Sequence, residues 1–341
     1  MVGRRVTLRD VADRAGVHPS TASRAINEHT RVLVDDQTVD RVLRAVDDLG
    51  YQPDSLARAL KTNRTHTVGM LLPDLTNPLF PPIVRGIEDG LGGANYTVIL
   101  GNTDNDPAKE RTVLSALLGR RIDGLILATT QREPSPAIAE LMDGGLPTVL
   151  VNRTLDDPTV PSVLGDDRAG IALAVDHLAG LGHTRIAHVA GPQQTSTGLL
   201  RHDSFVASLR RAGLEIDRER IVFADWFREA PGATACRVLL DRRPDTTAIV
   251  AANDLIAIGC YDVANERDLQ IGVDLSVVGY NDMLFADKLC PPLTTVRVPH
   301  YQLGLRAAQL ILNLISDADA DAEQIRLEPT LVRRASTGPP S

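Results

Sequence analysis

Residues 17–27 read VHPSTASRAIN. Wound as a helix from Pro19, the stretch puts Ala22, Ala25 and Ile26 on one face, at the i, i+3, i+4 spacing of a buried stripe. The other face carries Ser20, Arg24 and Asn27, whose hydrogen-bonding groups have no use in a core. Upstream, Thr7 can cap a helix in which Leu8, Val11, Ala12 and Ala15 share a side, and Gly16 supplies a tight turn into the quoted stretch. Downstream, Asp35 can cap a third helix with Val39, Val42, Leu43 and Val46 inward, stopped by Gly50 and Pro53. A short fourth helix fits 54–60, DSLARAL. Two helices joined by a glycine turn, with a third to pack on, form the helix-turn-helix pattern. Arg24, one turn after Ser20, suits a major groove, where a guanidinium grips guanine O6 and N7 together. A merely solvated face fits the same residues.

Composition bounds the alternatives. The chain has 341 residues, 43% of them hydrophobic and 23% charged, which is the make-up of a globular protein of two or three domains. The start, MVGRRVTLRD, has no apolar signal core, and no 18-residue apolar run occurs, so a cytoplasmic location and no membrane partner are expected. Three cysteines, Cys236, Cys260 and Cys290, lack CxxC spacing and read as reduced core thiols. The net charge of −8 argues against nucleic acid until the chain is divided. Residues 1–62 hold ten Lys/Arg against nine Asp/Glu, whereas the remainder holds 26 against 35. The acidity therefore belongs to the larger part, and Arg4, Arg5, Arg24, Arg58 and Lys61 can share one surface of the smaller.

Past residue 65 the pattern changes to apolar strands alternating with amphipathic helices. Strands are expected at 67–73, 96–102, 122–129, 147–152, 185–190, 221–225, 247–252 and 275–280, with helices such as 107–119, 168–181, 203–212 and 300–315 between them. Such alternation predicts parallel sheets covered by helices on both faces, and this length of it predicts two lobes with a cleft. The tail RRASTGPPS, 333–341, reads as disordered.

The runs VTLRDVADRAGVHPSTASRAIN and RVLRAVDDLGYQPDSLARALKT resemble the DNA-binding head and hinge of the LacI/GalR family of transcriptional regulators. The remainder resembles that family's effector domain, of the periplasmic-binding-protein type I fold, at DLTNPLF (74–80), LVNR (150–153), LAGLGHTRIAHVAGP (178–192), AANDLIAIG (251–259) and SVVGYND (276–282). The resemblance implies an α/β chain with an all-α head at 1–52, a hinge helix and linker at 53–65, and a two-lobed core at 66–341. Its N-lobe is expected at about 66–163 and 293–324, its C-lobe at about 164–292 and 325–336. It implies a homodimeric repressor on a pseudo-palindromic operator, controlled by a small effector such as a sugar, sugar acid or sugar phosphate. Pro19, Ser20 and Arg24 fall where the family reads its half-site, with Thr7, Thr21 and Asn27 beside them. Leu60 takes the position of the leucine that wedges into the minor groove, beside Lys61.

For the cleft, the resemblance points to Phe80, Arg153, Arg201, Trp226, Asn253 and Asn281 as ligand contacts. Two departures matter. His18 stands where the family has a capping serine, which leaves the recognition helix more weakly capped or His18 reaching for a phosphate. Asn281 stands where many members have an aspartate, so positive charge near Arg153 and Arg201 is less compensated, which admits an anionic ligand, a sugar acid, sugar phosphate or small carboxylate, on an equal footing with a neutral sugar. Asp282 or Asp166 could restore the balance.

Catalytic signatures are missing: no GxSxG, HExxH or Walker A sequence occurs, and GLGGAN at 90–95 lacks the third glycine of a dinucleotide loop. His177 and His183 have no ligand-spaced Cys, Asp or Glu and read as structural, so no metal, cofactor or enzymatic activity is expected. An exported solute-binding protein would share the core but need a signal peptide and no head, and a sugar-metabolising enzyme is the weaker alternative. The polar C-terminus, without leucine heptads after 325, argues for a dimer over a tetramer.

Overall fold

The computed structural model describes residues 6–27, 30–51, 64–129, 131–157, 159–317 and 323–341. The chain divides into two compact units, 1–65 and 66–341. In the first, α1 (Leu8–Ala15), α2 (Pro19–Ile26) and α3 (Asp36–Leu49) enclose a small core of Val11, Ala12, Ala15, Ala22, Ala25, Val39, Val42 and Ala45. Local chemistry sets each boundary. Thr7 and Asp10 form a reciprocal capping box on α1, and Gly16 turns the chain at φ 67°. Asp35 Oδ1 accepts the Thr38 N–H at 2.9 Å to start α3, and Gly50 ends it at φ 60°. Behind α2, the Arg31 guanidinium donates to the Ala25 carbonyl at 2.9 Å, which ties the following turn to the end of that helix. The segment 54–60 expected to be a hinge helix lies outside the described residues.

The second unit holds two six-stranded sheets. The first contains β1 (Thr67–Leu72), β2 (Thr97–Asn102), β3 (Gly124–Leu127), β4 (Thr148–Val151), β5 (Ser162–Gly165) and β11 (Gln324–Leu327), in the order β11-β5-β4-β3-β1-β2. The second contains β6 (Ile186–Ala190), β7 (Ile221–Phe223), β8 (Ala248–Ala251), β9 (Ser276–Asn281), β10 (Thr294–Arg297) and β12 (Thr330–Val332), in the order β12-β10-β9-β8-β6-β7. All pairs are parallel except β10 with β12. The helices over the first sheet are α4 (Phe80–Gly92), α5 (Pro107–Leu118), α6 (Pro136–Asp143) and α11 (His300–Ser316). Those of the second lobe are α7 (Asp167–Gly180), α8 (Ser196–Arg211), α9 (Glu229–Arg242) and α10 (Asp254–Glu266). Among the described residues no helix is long and apolar enough to cross a membrane.

Every strand expected from the sequence is present, and four more appear: β5, β10, β11 and β12. They move the lobe boundaries. Because β10 pairs with β9, residues 294–297 belong to the second lobe rather than to a segment of the first beginning at 293. Because β11 pairs with β5, the first lobe extends through Leu327 rather than ending at 324. Close packing between α4 and α11 depends on two glycines: a Cβ on Gly86 would lie 2.1 Å from the Tyr301 carbonyl oxygen, and one on Gly304 would lie 2.0 Å from that of Ile83.

The tail overturns its expected disorder. Ser336 is fully buried; its Oγ accepts the Thr294 N–H at 2.7 Å and donates to the Val277 carbonyl at 2.6 Å. Gly338 N–H donates to Ser276 Oγ at 3.1 Å, and its carbonyl lies 2.8 Å from His183 Nε2. A stretch with little apolar surface is thus ordered by polar partners that the second sheet supplies. Ser336→Ala would strand the buried Thr294 N–H and lower the unfolding free energy by about 1–3 kcal/mol, read as a drop in the urea midpoint. A midpoint equal to the parent's would mean that the Ser336 hydroxyl contributes nothing to the stability of the fold.

Candidate functional site

In the head, α2 turns Ala22 and Ala25 fully inward and leaves Ser20, Arg24 and Asn27 exposed. The sequence places Pro19 at the first helical position, where its missing N–H costs nothing. Thr21 is half-buried, and Thr7 is held in its capping box, its hydroxyl donating to Asp10 Oδ2 at 2.7 Å. The Arg24 carbonyl accepts from Thr30 Oγ1 at 3.1 Å, but its guanidinium has no hydrogen-bond or ion-pair partner among the described residues and is free for an external acceptor. His18 proves a working cap: its Nδ1 accepts the Ser20 N–H at 3.2 Å. The expected weak cap is corrected accordingly. Leu60 and Lys61, together with Arg4, Arg5 and Arg58, lie outside the described residues.

In the core, the C-terminal ends of the two sheets face each other, as expected for ligand sites on open parallel sheets. Among the described residues, three hydrogen bonds tie the lobes across the mouth of the cleft. Arg228 Nη2 donates to Asp74 Oδ2 at 2.6 Å, Thr154 N–H donates to Ser196 Oγ at 2.9 Å, and Arg132 N–H donates to the Gln194 carbonyl at 3.1 Å. Beneath them lies a cavity of about 40 Å³, room for no more than a few waters, bordered by Arg153, Trp226, Asn77, Gln131 and Thr195 among others. Trp226 is 47% exposed, so much of its ring is available for stacking.

The two arginines differ sharply. Arg201, on α8, donates from Nε to Asp167 Oδ1 at 2.8 Å and from Nη1 to the Ala252 carbonyl at 2.7 Å, and its guanidinium lies 3.9 Å from the centre of the Tyr280 ring. Its charge is balanced by a buried carboxylate. Asp167 was not singled out from the sequence; the signal present was its place in the first turn of α7, after the capping Asp166. Arg153 follows β4 and has no such partner. It is 8% exposed, its Nε is buried without an acceptor, and burial, with Arg201 nearby as a second cause, pushes its guanidinium down to about 10. The uncompensated charge expected at both arginines is therefore concentrated on Arg153 alone.

The carboxylates that could have answered it are engaged. Asp166 Oδ1 accepts the Ala169 N–H at 3.0 Å as the cap of α7. Asp282 is gripped by Arg297 Nε and Arg334 Nη2, both at 2.7 Å. Asp254 accepts from Thr295 Oγ1 at 2.6 Å and from the Met283 N–H at 2.7 Å, and burial pushes it up to about 7. Asn281 ends β9 at φ 110°, buried, with Oδ1 unpaired. Asn253 caps α10, its Oδ1 accepting the Ile256 N–H at 2.8 Å, and its Nδ2 donates to the Phe227 carbonyl at 3.5 Å, which leaves one amide N–H for other work. Phe80 is 2% exposed and packs in the core of the first lobe rather than lining the cavity.

His177, His183 and His188 are held by partners within the protein. His188 is fully buried, donates from Nδ1 to the Val250 carbonyl at 2.7 Å and stacks on Phe205 at 4.8 Å. Burial pushes it down to about 4, so it stays neutral at pH 7. His183 binds Thr247 and the tail, and His177 binds Thr337. Among the described residues no cluster of His, Cys, Asp and Glu could hold a metal ion. Cys236 and Cys260 are buried thiols, whereas Cys290 is exposed and departs from the expected core position.

Comparison with known proteins agrees with this geometry. Residues 7–54 match the family model described as bacterial regulatory proteins, lacI family, and residues 65–334 match that of periplasmic binding proteins and sugar binding domain of LacI family. The ribose operon repressor of Escherichia coli (strain K12) is 34% identical over 331 residues, 97% of this chain and 99% of the relative. The Lac repressor dimer solved with operator and the anti-inducer ONPF is 27% identical and superposes with a TM-score of 0.85, covering 98% of this chain and all of that one. A LacI family transcriptional regulator from Enterococcus faecium, solved with bound ribose, is 32% identical with a TM-score of 0.71, covering 81% of this chain and all of that one. With a helix-turn-helix head, a two-lobed core and likeness to these regulators along nearly its whole length, the chain belongs to the LacI family of bacterial transcriptional regulators.

Proposed function

We propose that the protein is a ligand-responsive repressor that binds a pseudo-palindromic operator in double-stranded DNA as a homodimer, one head to each half-site. The observation that carries this reading is the division of α2 into a buried alanine face and an outward Ser20–Arg24 face with a free guanidinium. Arg24, Ser20, Thr21, Pro19 and Asn27 meet base edges and the adjoining backbone, and Thr7 meets phosphate. Leu60 and Lys61 serve the hinge, the leucine as a wedge that repays unstacking by bending the DNA. The protein works in the cytoplasm and has no enzymatic activity of its own.

The effector enters between the lobes. Arg153, Arg201, Trp226, Asn253 and Asn281 form its surroundings, and Phe80 supports them from the core. The balance of donors over acceptors favours a particular ligand: the carboxylates nearby already have partners, while Arg153 is a buried donor without one. A buried, unanswered charge costs several kcal/mol, and a carboxylate or phosphate on the ligand removes that cost. A sugar acid or sugar phosphate therefore fits better than a neutral sugar. Ligand binding changes the spacing of the lobes and, with it, operator affinity, by a coupling of about 1–3 kcal/mol.

Two experiments test these assignments. In a gel-shift titration on a site selected from random DNA, Arg24→Ala should lose about 1–3 kcal/mol of specific affinity; equal affinities would remove α2 as the reading helix. In thermal unfolding without ligand, Arg153→Met should stabilise the chain by about 1 kcal/mol or more, because a stranded charge is gone. With the parent, ribonate or ribose 5-phosphate should raise the midpoint by the equivalent of about 2.7 kcal/mol at 100-fold excess over Kd, and the variant should lose that response. Stabilisation by ribose alone would keep the repressor and discard the anion.

A further inference from the structure

The reading of the head leaves His18 without a part beyond ending the turn. It stands exposed at the N-cap of α2, immediately before Pro19. Helix N-termini carry N–H groups without intrahelical acceptors. After His18 these are answered inside the head: Pro19 has none, Ser20 N–H donates to His18 Nδ1 at 3.2 Å, and Thr21 N–H donates to the His18 carbonyl at 2.9 Å.

The imidazole contact fixes a tautomer. A backbone N–H can only donate, so Nδ1 is the bare nitrogen and the ring proton sits on Nε2. The same Nδ1 lies 2.8 Å from Ser20 Oγ. A hydroxyl beside a bare nitrogen donates its proton to it, which turns the oxygen's lone pairs outward. Ser20 is one of the exposed groups on the proposed reading face, so this fixes what it can read.

We propose that His18 is a positioning residue for base recognition. By taking the Ser20 proton, its imidazole makes Ser20 Oγ an acceptor only, which selects a base offering an amino group in the major groove, adenine N6 or cytosine N4, over guanine and thymine. A serine hydroxyl not held this way rotates to donate or accept and serves either class. The inference rests on the proposed reading of DNA through α2.

The test is selection of binding sites from random DNA by the full chain and by Ser20→Ala, His18→Gly and His18→Asn. Glycine is a competent N-cap with no acceptor to offer, while asparagine caps and can still accept the Ser20 proton. The parent should favour adenine or cytosine by about three- to tenfold, the worth of one hydrogen bond, at the half-site position where Ser20→Ala loses its preference. His18→Gly should lose the same preference at that position alone, and His18→Asn should retain it. The proposal is overturned if His18→Gly selects the parent's base there, or if the parent prefers guanine or thymine. If the parent selects no sequence at all, the reading of DNA through α2 fails first and takes this inference with it, a result distinct from a changed base preference.

Discussion

Each sheet of the core is closed at one edge by a strand from the C-terminal end of the chain, β11 on the first and β12 on the second. Without them β5 and β10 would each present a row of unpaired N–H and C=O groups. To deliver those strands the chain crosses between lobes three times, after β5, after β10 and after β11. The crossings are packed side by side: Asp166 N–H donates to the Leu327 carbonyl at 2.9 Å, and a Cβ on Gly165 would lie 3.0 Å from a Val298 methyl. Three short neighbouring connections between two rigid sheets make a hinge. The lobes can then change their separation with little repacking inside either one, and the three contacts across the cleft mouth are the bonds such a motion exchanges.

The same constraint explains which parts of the fold were legible in the sequence. The eight strands expected from the sequence lie in predominantly apolar runs, such as TVGMLL in β1 and AIVA in β8, although β3, β4, β7 and β8 are themselves only three or four residues long. The four that were missed, SVLG, TTVR, QIRL and TLV, are short and mixed in polarity. Their strand character comes from neighbours distant in sequence, which no local window contains. The tail is the extreme case, because its order depends on His183, Ser276, Val277 and Thr294 arriving from elsewhere. Head boundaries were legible for the opposite reason: Thr7, Gly16, Asp35 and Gly50 act within a few residues of their own positions. His18 falls between these cases, since a cap was expected to be weak and the ring geometry supplied one.

Charges in the cleft were legible as residues and illegible as pairs. Of the expected contacts, Arg153 and Trp226 border the cavity and Arg201 lies near enough to Arg153 to act on its charge, yet a sequence does not reveal that Asp167 neutralises Arg201 while Arg153 has no such partner. The distinction has energetic content. Removing a guanidinium from water costs several kcal/mol, and a buried pair largely offsets that cost only when its hydrogen bonds are good. Arg201 meets the condition with two donated bonds at 2.8 and 2.7 Å and an aromatic face beneath it. Arg153 does not, and an apolar side chain of similar length would serve stability better at that position. A buried charge that weakens the resting fold is intelligible where another molecule brings the opposing charge, since perturbed ionisable groups of this kind concentrate at sites of binding. The energy withheld from the fold then becomes affinity, and it biases the hinge only if the ligand meets Arg153 better in one lobe spacing than in the other.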